Sequence, residues 1–133
     1  MTARRRSARG LWTRAGAAAA LVGACVGLSA CRAAEGSVIP GASVERGRQS
    51  LAGFGCGSCH TIAGVTAAHG RVGPPLSGVA SRSIIAGELA NTPENMMHWI
   101  EDPPSVEPNT DMPNLGVTPA QARDIAAYLY TLR

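Results

Sequence analysis

FGCGSCHTIAG, Phe54 to Gly64, sets two cysteines three residues apart with a histidine directly after the second. Three residues is the reach of one turn, so Cys56 and Cys59 can grip the same edge of a bound group while His60 turns beneath it. C-x-x-C-H is the attachment signature of a c-type haem: the thiols take up two vinyl groups as thioethers, and the imidazole becomes the proximal ligand of the iron. A redox dithiol would use the same cysteines but needs a βαβ setting, which the surrounding sequence lacks. Structural zinc needs four ligands, and only His69 and His98 are left to join, neither with a companion at finger spacing. A plain Cys56–Cys59 disulfide leaves His60 without a role.

Upstream, MTARRRSARGLWTR carries five arginines and no acid, and the uncharged run Ala15 to Ala30 follows. These are the n- and h-regions of a secretory leader. The run is too short and too rich in Ala and Gly for a spanning helix, which takes about 20 apolar residues. Leu28-Ser29-Ala30-Cys31 resembles a bacterial lipobox, in which Cys31 would be lipidated and become the first mature residue; ordinary cleavage among Ser29 to Ala34 is the alternative. The whole chain has 12 basic and 9 acidic residues, net +3. Without the leader it keeps seven basic and nine acidic residues, net −2. A nucleic-acid partner is therefore not expected. The expected organisation is a lipoprotein signal peptide over 1–30, a flexible tether over 31–42 and one folded domain over 43–133.

Downstream and around the motif, the pattern is helical. Ser43 with Glu45 opens a helix carrying Val44, Gly47, Leu51 and Phe54 on one side. Thr92, Pro93 and Glu94 open a short helix that Asp102-Pro103-Pro104 ends. Thr118-Pro119-Ala120-Gln121 is a capping box, and Ile125, Tyr128, Leu129 and Leu132 form a stripe at helical spacing. Residues 60–82 and 105–116 read as loops, and no strand pattern of useful length is present. About ninety residues with three or four short helices bury little apolar area on their own. Loops this long need something to wrap around, and one large flat apolar cofactor answers both needs.

Candidates for a second iron ligand are Met96, Met97, Met112, His69 and His98. Met96 and Met97 sit on a helix beside Trp99 and Ile100, where methionine usually packs in the core. Met112 precedes Pro113 in a proline-rich loop, which can hold a thioether toward an iron with little entropy loss.

Gly47 with Leu51, CGSCH, GPPL at Gly73 to Leu76, Arg82, Trp99, Met112-Pro113 and AAYL at Ala126 to Leu129 together resemble class I monohaem cytochromes c. Leu51 stands where that family more often has an aromatic residue. The layout NTPENMMHWIEDPPSVEPNTDMPNLGV is similar to the cytochrome c domain of caa3-type oxidase subunit II, so the chain looks like a free-standing, lipid-anchored relative. The resemblance implies an all-α cytochrome c fold around one covalent haem c on Cys56 and Cys59, with His60 and Met112 on the iron. It implies that the Pro74 carbonyl takes the His60 ring N–H, that Arg82 and Trp99 bond the propionates, and that Gly47 lets the first helix cross the last near Tyr128. The function implied is one-electron transfer and not enzymatic catalysis. The carrier would sit on the extracytoplasmic side of a bacterial membrane, between a quinol-oxidising complex and a terminal oxidase. A haem enzyme or gas sensor with a labile sixth ligand, and a dedicated subunit of one oxidoreductase, are the alternatives.

Overall fold

A computed structural model of the chain describes residues 38–133. The expected leader, Cys31 and most of the expected tether lie outside the described residues. Ile39 and Ala42, at the end of that tether, are buried at 5% and 3% exposure, and the Ala42 N–H bonds back to the Ile39 carbonyl at 3.2 Å. The packed body therefore takes in residues that the composition assigned to the tether.

Helix α1 (Val44–Gly53) starts where the Ser43 hydroxyl accepts the Arg46 N–H at 3.3 Å, with Glu45 in the first turn. That bond satisfies one of the free N–H groups at the helix start, and the acid suits the positive end of the dipole. Gly47 and Leu51 are its buried positions. They pack on α4 (Pro119–Leu129), whose Thr118 and Gln121 form the expected capping box. Gly47 is required by this crossing, because a Cβ there would fall on the backbone carbonyl of Asp124.

The same crossing is pinned by charge. Arg46 donates to both Asp124 carboxylate oxygens, Nε to Oδ2 at 2.6 Å and Nη2 to Oδ1 at 3.0 Å, and the Ser43 N–H donates to Oδ1 at 2.7 Å. Burial alone would raise the Asp124 pKa, but these three donors bring it below the ordinary carboxylate value.

Helix α2 (Pro93–Glu101) is capped by the Thr92 hydroxyl and buries Met96 and Ile100 toward α4. A break at Asp102 is followed by the single turn α3 (Pro103–Val106), where the sequence suggested only loop. Two elements escaped the sequence pattern. A 3₁₀ turn spans Val79–Ser81, and a two-residue hairpin pairs β1 (Ile84–Ile85) with β2 (Leu89–Ala90), Ile85 opposite Leu89. Strands this short carry no readable alternation. The body is nonetheless mainly helical, with α1, α2 and α4 around Leu51, Met96, Ile100, Ile125 and Leu129.

Candidate cofactor site

The motif sits on the turn that follows α1. The Phe54 N–H closes the helix on the Ser50 carbonyl, and Gly55 reverses the chain in the left-handed region at φ 70°. Cys56 to Ser58 then form a 3₁₀ turn, closed by the Cys59 and His60 N–H groups on the Cys56 carbonyl at 3.3 and 3.0 Å. Both cysteines are free thiols and half-buried. Burial pushes the Cys56 thiol up, so it stays protonated at neutral pH.

The segment after the motif folds back alongside it. The Gly70 N–H donates to the Gly57 carbonyl and the Gly73 N–H to the Cys59 carbonyl, each at 2.9 Å, and the Leu76 N–H reaches the Thr61 carbonyl at 3.0 Å. Small residues make this approach possible. A Cβ at Gly57 would meet Ala68, one at Gly70 the Ser58 carbonyl, and one at Gly73 the His60 ring. Tyr128 of α4 ties the loop down by donating its hydroxyl to the Ala63 carbonyl at 2.7 Å.

The outcome for His60 is specific. Its Nδ1 lies 2.7 Å from the Pro74 carbonyl oxygen. A carbonyl can only accept, so Nδ1 carries the proton and Nε2 keeps its lone pair for a metal. Two thiols on one turn, followed by an imidazole with a free Nε2, fit a porphyrin attached by thioethers and ligated from beneath. Among the described residues no three His, Cys, Asp or Glu side chains gather as a metal cluster, so a zinc site lacks a donor set.

The remaining residues singled out from sequence lie on other elements. The Arg82 guanidinium donates to the carbonyls of Pro75 at 2.5 Å and Ser77 at 3.3 Å, on the same loop as the His60 acceptor. Trp99 is half-buried on α2. Met112 lies on the loop between α3 and α4, its N–H held by the Thr110 hydroxyl at 3.2 Å. That loop is fastened to the end of α2 by Asn114 donating to Asp102 at 3.0 Å. Met96 is 2% exposed and packs in the core, as its helical position implied. His69 is exposed and its backbone pairs with Thr61, while exposed His98 lies 3.5 Å from the Ser105 hydroxyl. A groove of about 590 Å³ between α1 and α4, lined by Arg46, Gln49, Phe54 and Asp124, contains none of the motif residues.

Asn91 is the residue that sequence reasoning missed. Its side chain joins three segments: Nδ2 donates to the carbonyls of Val79 and Arg82, and Oδ1 accepts from Tyr130, each at 2.8 Å. No sequence signal marks it beyond its place before the Thr92 cap.

The family model "Cytochrome c" matches residues 44–133. Over 90 residues the chain is 33% identical to cytochrome c oxidase subunit 2 of Alkalihalophilus pseudofirmus. That match covers 67% of this chain and 25% of the relative, so the chain spans about a quarter of the length of the curated protein it matches.

Proposed function

This chain belongs to the cytochrome c family and is an electron-transfer haem protein, and on that premise we propose that it is a membrane-tethered one-electron carrier with its iron between His60 and Met112. The family binds haem c covalently, and Cys56, Cys59 and His60 supply its C-x-x-C-H motif. The observation that carries the ligand assignment is the 2.7 Å contact of His60 Nδ1 with the Pro74 carbonyl. It fixes the tautomer, aims the ring, and makes the imidazole a more basic ligand.

The bound haem supplies a one-electron couple. The protein does the rest. Cys56 and Cys59 would hold the group by two thioethers, and His60 would ligate the iron. Met112, on a loop with Pro108 and Pro113, would supply the second ligand, and a thioether there would favour the reduced state. Arg82 and Trp99 would be the partners of the propionates. Were His60 and Met112 both to ligate the iron, small molecules would have to displace a side chain to bind, which suits a carrier.

Lipidation of Cys31 would hold the carrier at the outer face of a bacterial membrane. There the tether raises its effective concentration near membrane oxidoreductases. The likeness to an oxidase subunit supports a respiratory partner, with a quinol-oxidising complex as donor and a terminal oxidase as acceptor. Docking to either would be brief and through a small interface.

Carbon monoxide added to the reduced protein tests the central assignment. Slow or negligible binding is expected; rapid, complete binding would reject Met112 as a firm ligand and favour a labile-ligand haem protein. A pyridine haemochrome spectrum of the same sample reports whether the haem is attached through two thioethers.

A further inference from the structure

We infer that Asn91 is a positioning residue for the proximal histidine, acting through Arg82 and the Pro74–Ser77 turn, with Tyr130 at the far end of the same chain of hydrogen bonds. The inference rests on the reading that His60 ligates the haem iron.

The acceptor for the His60 ring is a backbone carbonyl on a turn with no secondary structure of its own. Its position is set by whatever holds that turn. The Gly73 and Leu76 N–H groups tie it to Cys59 and Thr61 on the motif side. On the other side the Arg82 guanidinium takes the Pro75 carbonyl at 2.5 Å and the Ser77 carbonyl at 3.3 Å, so two peptide carbonyls of the turn converge on one cation. Charge-assisted bonds of this kind are about twice as strong as neutral ones. A long arginine side chain transmits a position only if its own backbone is fixed.

Asn91 does that fixing. It grips the Arg82 carbonyl and the Val79 carbonyl, the two ends of the 3₁₀ turn, each at 2.8 Å. Its own backbone N–H reaches the Ser83 carbonyl at 3.0 Å. Its Oδ1 accepts the Tyr130 hydroxyl at 2.8 Å. Both amide protons and the amide oxygen are therefore committed, and two carbonyls with one hydroxyl admit only one orientation of the side chain. Burial raises the Tyr130 pKa, so the hydroxyl remains a donor at neutral pH. The sequence of contacts runs from Tyr130 to Asn91, to Arg82, to the Pro75 and Pro74 peptides, and to His60 Nδ1. Aspartate would set a carboxylate against two carbonyls, and alanine would remove the side-chain hold on both, leaving the turn with its backbone bond from the Arg82 N–H to the Val79 carbonyl at 3.3 Å.

The consequence is electronic as well as mechanical. A firm N–H···O bond gives the imidazole more anionic character, which favours the ferric state. Loosening the turn weakens that bond and raises the reduction potential.

The test uses the purified haem-loaded protein in its diamagnetic reduced state. NMR follows the His60 ring N–H, and voltammetry reads the potential, for wild type, Asn91→Ala, Asn91→Asp and Tyr130→Phe. Solvent exchange of the ring proton should be roughly five- to tenfold faster in both Asn91 variants, the scale of one lost hydrogen bond. The potential should rise. Tyr130→Phe, which removes a single hydroxyl and keeps the ring packing, should shift both readings the same way by less. If the Asn91 variants do not fold, Tyr130→Phe decides alone. Unchanged exchange and potential, with only the melting temperature lowered, would overturn the inference and leave the ligand assignment standing. A wild-type protein with covalent haem but no iron-bound His60 would overturn both.

Discussion

A methyl group at Gly73 would lie well inside contact distance of Cε1 of the His60 ring. The ring would have to turn, and its bond to the Pro74 carbonyl would be lost. Gly73→Ala is therefore expected to destabilise the haem-loaded protein by about 1–3 kcal/mol, read by thermal unfolding of the Soret band, and to disturb the ligand-field spectrum. A variant with wild-type spectrum and stability would show that the ring has room the geometry denies. On the opposite side of the proposed iron, Met112→Ala should abolish the weak red-region absorption of sulfur-ligated ferric haem and lower the potential, because thioether ligation favours the ferrous state. Persistence of that band would assign the sixth position to another residue.

Two helices and one ion pair carry most of the scaffold. In an isolated helix, Gly→Ala stabilises by about 1 kcal/mol. At Gly47 the sign reverses, because the new Cβ overlaps the Asp124 carbonyl and must push α1 off α4. Gly47→Ala should cost about 3 kcal/mol or more in denaturant unfolding. Asp124 supplies the second hold on this crossing. Its folded pKa is below the unfolded one, so its contribution is complete above the unfolded carboxylate pKa of about 4 and is lost as pH falls through the folded value. Asp124→Asn should cost about 1–3 kcal/mol at pH 7, toward the lower end because the Arg46 side chain is 62% exposed and solvent screens the pair. The gap between wild type and variant should close below pH 4; a gap that stayed constant down to pH 2 would mean that the carboxylate charge plays no part. The neighbouring Glu45, drawn down to about 2 by hydrogen bonds from Arg48 and Gln49, is exposed and adds little.

Long loops join these helices in the described body. Residues 60–82 wrap back on the motif, and the loop behind α3 presents Met112. The described body begins at or before Ile39, which leaves at most seven residues between it and Cys31. A lipid on Cys31 would thus keep the haem domain close to the bilayer. Cys31→Ser should move the protein from the membrane to the soluble fraction on cell fractionation, with its haem content unchanged; retention in the membrane would indicate that the leader stays on as an anchor.

Much of this protein was written in short-range signals. C-x-x-C-H, the Ser43, Thr92 and Thr118 caps and the apolar spacing of α4 depend on residues within one or two turns of each other, so they are legible in one dimension. They established the haem-binding motif, the helical class and the start of each long helix. The family resemblance added the Pro74 acceptor, whose carbonyl lies 2.7 Å from His60 Nδ1, and a crossing at Gly47 near Tyr128, which the structure instead places at Asp124 and Ile125. What the tertiary structure decided is everything that depends on residues distant in sequence meeting through bare backbone. The two-residue hairpin, the grip of Arg82 on the Pro74–Ser77 turn and the place of Asn91 are of this kind. Carbonyl and N–H groups are the same at every residue, so a contact made through them leaves no mark on the sequence until the fold brings the partners together.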